Sequence, residues 1–463
     1  MVARALALVV SLAAVACGPP STAAPCTGDN DCTLEGGGRC LASPLGVNAC
    51  AYPDPACAGG YHWGDLSGAI AGQCVGGDAD AGIDAVDGQQ IDATDAPIDA
   101  GPSSPIVSNY QPADLVIGQA GFTAPTADRG FAANSVNGDA LAATATSLWV
   151  VDGPHARVLQ FAPLPTLGDP SASSLVGRPS LTDGTTIGAA SANNLGTSLY
   201  SVATDGNVLV VADAARHRVL IWSPAPTSPG AAANLVLGQP DFTTTTSGTG
   251  ANQMRTPGCV WTNGTMLVVC DTFNHRVLVW TSFPTTNGQA ANLVLGQAGF
   301  GAAVDPPVAT ATTISRPFGA LVSGTRLYVA DDAFNRVLVW DPLPSTNNEA
   351  ADIVLGQSTL TGMGDLVASP TSLSHPRGLA TYRDALLVAD PGHNRVVVYQ
   401  PIPVRSGAAA ALVLGQPDLD TENMVGALPT QRDFRGVSDI AVTGSSLFVG
   451  DPFARRVLRF TMQ

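Results

Sequence analysis

The sequence predicts an all-β protein whose main body, residues 113–463, is a six-bladed β-propeller of four-stranded antiparallel blades. Two recurring marks and the way they begin and end carry that prediction. The first mark is an apolar strand closing on Gly-Gln, at Gly118-Gln119, Gly238-Gln239, Gly296-Gln297, Gly356-Gln357 and Gly415-Gln416, with Gly177-Arg178 as an imperfect copy. These six copies lie 58 to 61 residues apart. The second mark is an apolar strand, a small residue, Asp, four residues, Arg, then a Val-rich strand ending in an aromatic. Its pairs are Asp152/Arg157, Asp213/Arg218, Asp271/Arg276, Asp331/Arg336, Asp390/Arg395 and Asp451/Arg456. Two independent marks in step at one period define a repeat architecture.

Each unit offers four short strands, clearest in the fourth: Gly319 to Ser323, Arg326 to Ala330, Arg336 to Trp340 and Asp352 to Gly356, punctuated by turns such as Ser323-Gly324. Four antiparallel strands repeated six times bury blade face against blade face and leave only short edges. A parallel β-helix would need shorter rungs, and an Arg in every unit denies the apolar girdle of a lipid-facing barrel. The domain opens on a Gly-Gln strand, Asp114 to Gly118, and ends on Arg456 to Phe460, so the last unit lacks its own fourth strand. The first strand is expected to supply it and close the ring.

Ahead of the repeat the chain changes character three times. Arg4 precedes an apolar run, Ala5 to Ala16, too short to span a bilayer as a helix, which reads as a secretory signal over 1–16. The run ends Leu12-Ala13-Ala14-Val15-Ala16-Cys17-Gly18 and resembles a bacterial lipobox. That resemblance implies cleavage before Cys17 and a lipid anchor on it, and Gly18 in place of Asp implies sorting to the outer membrane; an ordinary signal peptide is the alternative. Residues 17–75 hold Cys26, Cys32, Cys40, Cys50, Cys57 and Cys74 without a Cys-x-x-Cys, which predicts a three-disulfide module rather than a zinc site. So short a Gly- and Pro-rich segment needs staples. Residues 76–112 carry Asp78, Asp80, Asp84, Asp87, Asp92, Asp95 and Asp99 and no basic residue, which predicts an extended, solvated linker. The Gly and bidentate Glu of a calcium loop are missing from it. Cys259 and Cys270, on consecutive strands, are either bonded or two packed small residues.

The net charge of −16, with 21 Arg and no Lys, argues against a nucleic-acid surface. The stretches Pro317-Phe318-Gly319, Leu327-Tyr328-Val329-Ala330-Asp331 and Asn335-Arg336-Val337-Leu338-Val339-Trp340 resemble the NHL repeat, and Asn274-His275-Arg276 matches that family's core. The resemblance implies a six-bladed propeller acting as a binding or scaffolding module. The first, second and sixth units depart from the Pro-x-Gly entry, so distorted blades are expected there. Some NHL-like propellers are metal-dependent lyases or lactonase-like hydrolases, which is the alternative function; a purely structural envelope protein is another.

Residues present in every blade are read as serving the blade: Asp accepts backbone N–H groups at a turn and the Arg five residues on closes it. The Gly-Gln mark is read as an outer-strand packing device. Of His62, His155, His217, His275, His375 and His393, only His375 stands at the entry to an innermost strand, and those strands are apolar where metal ligands would sit; no metal, cofactor or catalytic residue is expected. The entry loops carry Arg255, Arg316, His375, Arg377, Arg432 and Arg435, a candidate ring for an anionic small ligand or glycan, or else ties between blades. The expected protein is a monomer that meets the membrane only through its lipid anchor.

Overall fold

The computed structural model describes residues 39–42, 48–53, 61–63, 104–124, 128–364, 367–422 and 428–463. The signal segment, Cys17, Cys26, Cys32, Cys57, Cys74 and residues 76–103 lie outside them. The chain divides into two units, Met1–Asp99 and Ala100–Gln463. In the first, strands Arg39–Ala42, Asn48–Pro53 and Tyr61–Trp63 form an antiparallel sheet with the middle one central. Cys40 stands opposite Cys50, and both are disulfide-bonded.

The second unit consists of six four-stranded antiparallel sheets, each ordered from an innermost to an outermost strand. The fourth blade, Pro317–Ser323, Arg326–Asp331, Arg336–Trp340 and Ile353–Leu355, matches the expected strands to within two residues at each end. Its third strand, like Arg276–Trp280 and Arg218–Trp222, is buried at every position. A strand covered on both faces needs apolar residues throughout, and β-branched side chains suit the pleat. The period of two then assigns each side chain to a neighbour. In the first blade Trp149 and Val151 pack against Val202 and Val211 of the second, while Leu148 and Val150 pack against Phe448 and Val457 of the sixth. The core is therefore a ring of interfaces rather than one centre. The first, second and sixth units also form complete four-stranded blades; their departures alter the entry loops and leave the sheets intact.

The ring closes as expected. Leu115–Ile117 is the outermost strand of the sixth blade, paired with Arg456–Thr461 in the register Val457↔Ile117 and Arg459↔Leu115. The closure begins earlier than the linker boundary at 112, because the chain is docked from 104 onward. Ile106 and Val107 are buried in the cluster shared by the fifth and sixth blades. The backbone N–H of Gln463 donates to the Ile106 carbonyl at 2.9 Å, and that of Tyr110 to the Val413 carbonyl at 3.0 Å. Asn109 Oδ1 accepts from the N–H of Val413, as Asn287 Oδ1 does from Val236 and Asn347 Oδ1 from Val294. Residues 104–118 thus supply the loop as well as the last strand of the sixth unit. Cys259 and Cys270, in register on the two inner strands of the third blade, are joined as a disulfide with Cα atoms 4.8 Å apart.

Candidate functional site: the mouth of the central channel

The repeated residues form the frame of the site. Between the second and third strands of each blade a single 3₁₀ turn follows the Asp, as in Thr272–Asn274 and Asp332–Phe334. The next residue is left-handed, with φ of 49° to 54° at Ala156, His217, His275, Asn335, Asn394 and Arg455. Asn and His are enriched in that conformation, which accounts for Asn335, Asn394, His217 and His275 at this position, while Asn274 of the Asn-His-Arg core donates to Asp271 Oδ2 and the Gly248 carbonyl at 2.8 Å. In all six blades the Arg Nε donates to Asp Oδ2 at 2.7 to 2.9 Å, with both side chains buried. The other Asp oxygen accepts the backbone N–H of Gly196, Arg255, Ser315, Ser374 or Arg435 in the second to sixth blades. In the first, Asp152 Oδ1 faces His155 Nδ1 at 2.8 Å.

The expectation that each Arg closes its own turn is too narrow, and the structure corrects it. Arg157, Arg218, Arg276, Arg336, Arg395 and Arg456 are all 0% exposed, and none of them lines the channel. One carboxylate oxygen satisfies one N–H of a buried guanidinium, so the remaining donors must find acceptors elsewhere. They find them on distant loops. Arg157 donates to the carbonyls of Leu181 and Ser135, at 2.7 and 3.1 Å. Arg395 donates to the carbonyls of Leu419 and Ser372, the latter at 2.9 Å. A carbonyl 24 residues on is reached in the first five blades, Phe242, Phe300 and Leu360 serving Arg218, Arg276 and Arg336. Each of these Arg therefore pins the long loop leading to the next blade.

The Gly-Gln mark is a polar tie and not the packing device expected from sequence. Gln239, Gln297 and Gln357 donate to the carbonyl of the left-handed residue of their own blade, His217, His275 and Asn335, at 3.0 to 3.2 Å, and to a carbonyl seven residues on. Arg178 donates to the carbonyl of His155, one residue before the left-handed Ala156, and to that of Thr185 seven residues on, so the imperfect copy still ties its turn to the following loop. The Gly before it has φ of +83° to +93° in all six copies. At Gly177 a Cβ would lie 2.6 Å from Leu195 Cδ1, so no larger residue fits.

Around the axis the innermost strands enclose a cavity of about 860 Å³, lined at the mouth by residues that differ from blade to blade. They include Asp139 from the first blade, Tyr200 from the second, Phe318 from the fourth, His375 and Arg377 from the fifth, and Asp439, Phe453 and Arg455 from the sixth. Tyr200 and Phe318 meet edge to face at 5.8 Å, and the Arg377 guanidinium lies 4.7 Å from the Phe318 ring centre. Asp332, buried, faces both His375 Nδ1 at 3.3 Å and Arg377 Nε at 3.4 Å. His375 and Arg377 remain 48% and 40% exposed, so both can reach a ligand. The mouth thus combines aromatic faces, an orientable cation and hydrogen-bonding groups, the composition of a small-molecule site of the usual size.

The six entry-loop candidates do not form one ring. His375 and Arg377 line the cavity, whereas Arg255 and Arg316 are exposed on the turn side of the third and fourth blades and do not line it. Arg432 turns away to bond the Tyr110 carbonyl and stack on its ring at 5.3 Å, serving closure. Arg435 likewise lies outside the cavity lining, and its backbone N–H donates to Asp451. Among the other histidines, His155 and His393 bond the Asp of their own turns at 2.8 Å. Among the described residues no three His, Cys, Asp or Glu side chains are grouped as a metal site requires.

Asp139 and Asp439 were not singled out from the sequence. They sit where the Pro-x-Gly entry is broken, and that departure was the available signal. Asp439 accepts the N–H groups of Leu141 and Ile440, both at 2.9 Å, and so joins the sixth blade to the first. Burial pushes its carboxyl up to about 7 against the pull of those two donors. Burial also pushes Asp139 up to about 6, opposed by the Gly153 N–H and the Asn137 amide. A carboxyl raised on folding stabilises the native state below its unfolded value and loses that contribution as pH rises through its folded value. The propeller is therefore expected to be more stable at pH 5 than at pH 8. Over that window a dry site would lose roughly 3 kcal/mol, and because Asp439 partly faces the channel its share is about 2 kcal/mol. Melting curves should show the difference, and Asp439→Asn should reduce it, with Asp271 and Asp331, pushed up by burial to about 6 and about 7, keeping the rest; a pH 5 to 8 difference as large in Asp439→Asn as in the parent would contradict the assignment.

No protein-family model matches this chain, and no curated protein matches it. Among solved structures it is similar to the computationally designed Ika8 protein, at 12% identity over 76% of this chain and 100% of that one, with a TM-score of 0.36. It is also similar to the WD40 β-propeller domain of Doa1, at 9% identity over 78% of this chain and 97% of that one, with a TM-score of 0.37.

Proposed function

We propose that this chain is an exported, lipid-anchored binding or scaffolding protein of the cell envelope, and that its NHL-type propeller takes a ligand at the channel mouth on the face of the 3₁₀ turns. One observation carries the binding role. The residues common to all six blades are buried in tying strands and loops together, while the residues that differ gather around one cavity of about 860 Å³. A frame needs the same contacts in every blade; recognition needs different ones. Tyr200 and Phe318 supply flat apolar faces, Arg377 and His375 donors for polar groups, and Asp139 and Asp439 acceptors on the opposite side of the repeat order. The envelope location rests on the apolar run ending in Ala-Val-Ala-Cys17, and the acidic stretch that follows the cysteine cluster would hold the propeller off the membrane by roughly 30 Å or more.

A thermal-shift screen of the full-length protein against glycans, peptides and small organic acids tests this reading, with mass spectrometry of its N-terminal peptide as a companion readout. At least one ligand is expected to raise the Tm, by an amount lost in the Tyr200→Ala/Arg377→Ala variant and kept in Arg405→Ala. The N-terminal peptide is expected to begin at an acylated Cys17. Ligand effects untouched by the channel substitutions would refute the site, and an unmodified N-terminus elsewhere would refute the anchor.

A further inference from the structure

We propose that Arg255, Arg316 and His275 form a second site, on the rim of the third blade outside the channel, that takes an oxyanion of the carboxylate, sulfate or phosphate class. It stands independently of the channel reading. Both arginine side chains are exposed, and among the described residues neither guanidinium has a hydrogen-bond or ion-pair partner. Their neighbours on the same face are different: Arg377 faces Asp332, and Arg455 faces Asp128 at 3.0 Å. Phe273, 39% exposed, donates its backbone N–H to the Arg255 carbonyl.

His275 supplies the second observation. In two other blades the side chain of the left-handed residue ties to the next entry loop: His217 Nδ1 accepts the Thr256 N–H at 3.0 Å, and Asn335 Oδ1 accepts the His375 N–H at 2.9 Å. The corresponding donor for His275 is the N–H of Arg316, and that bond is not made. His275 is 8% exposed, and its Nδ1 is buried with no hydrogen-bond partner among the described residues, 3.3 Å from Asp305 Oδ1. His275 thus forgoes the tie its counterparts make and turns Nδ1 to the Asp305 carboxylate, on the segment between the two entry loops that carry Arg255 and Arg316.

The electrostatics agree. Burial lowers the His275 imidazole, with Asp305 opposing and Arg316 and Arg255 adding to the effect. His217 is lowered by burial and by Arg255, with Asp213 opposing. Arg255 and Arg316, set against the single exposed carboxylate of Asp305, leave a net positive spot on an acidic protein. An anion held by the guanidiniums would offset that field and favour protonated His275, which then donates to the anion or to Asp305. Proton uptake and anion binding are thus reciprocally linked.

Sulfate is a suitable probe because it does not titrate near neutrality. Histidine NMR titrations of the full-length protein, with and without sulfate at constant ionic strength, should show the His275 midpoint raised by about one pH unit at saturation, equal to tenfold tighter binding by the protonated form. Arg255→Ala/Arg316→Asn should abolish the shift, Asn being chosen because residue 316 has φ +55°. Arg405→Ala, which removes an exposed arginine elsewhere, should keep it. A His275 midpoint indifferent to sulfate, or a shift that survives in the double variant, overturns the proposal.

Discussion

Replacing Asp331 with alanine is expected to lower the stability of the propeller by about 3–5 kcal/mol, as breaking one side of a buried ion pair does. Arg336 would remain buried with its charge uncompensated, since its Nε bond to Asp331 at 2.9 Å is its only contact with a carboxylate among the described residues. The Ser315 N–H, which donates to Asp331 Oδ1 at 2.7 Å, would lose its acceptor as well. Asp331→Asn should lose less, because the amide oxygen can keep one of the two donors. The effect should spread beyond one turn, because Arg336 also holds the carbonyls of Thr313 and Leu360 on the loops either side of the blade. Urea denaturation checks this; a loss below about 1 kcal/mol would mean that the pair is solvated and the frame is held by packing alone.

Deleting residues 100–118 is expected to have a larger effect still, abolishing cooperative folding. The deletion removes Ala113 and five larger buried aliphatic side chains, Ile106, Val107, Leu115, Val116 and Ile117. At about 1.5–3 kcal/mol each their burial is worth on the order of 10 kcal/mol, which matches the whole stability of a typical domain. It also strips the ladder partners of Val457 and Arg459 and exposes an edge strand to other chains. Circular dichroism and analytical ultracentrifugation should find an unfolded or aggregated product, whereas removing residues 1–99, a separate unit, should leave the melting transition in place. A deletion that still melts cooperatively as a monomer would show that the ring does not depend on its N-terminal strand.

The blades and the closing strand were legible because both follow from local pattern: alternating or continuous apolar runs, turn residues, and marks at a fixed period. Residues 104–112 were not, because they carry neither of the two repeat marks and their partners, such as Val413 and Gln463, are some 300 or more residues away. A hint was Asn109-Tyr110-Gln111, echoing Asn287-Gly288-Gln289. The Asp-to-Arg spacing revealed the pair itself, but not that Arg157 and Arg395 also hold carbonyls more than 20 residues away on either side. The Gln of Gly-Gln stood out as a mark, but its contacts are with a turn in its own blade some 22 residues earlier, a distance the pattern does not encode. The channel site was hidden for a related reason. Tyr200, Phe318 and Arg377 come from three different blades, and only the closing of the ring brings them together. Of the two readings of the entry-loop Arg, Arg432 takes the tie, with a partner, Tyr110, that lies 322 residues away.

The division of the chain into a repeated frame and an unrepeated site is tested most directly by measuring the denaturation free energy of Tyr200→Ala/Arg377→Ala beside that of Asp331→Ala. The channel variant, which alters side chains partly exposed at the mouth, should stay within about 1 kcal/mol of the parent while Asp331→Ala loses about 3–5. A channel variant as destabilised as Asp331→Ala would contradict the account, because it would make the unrepeated residues part of the frame.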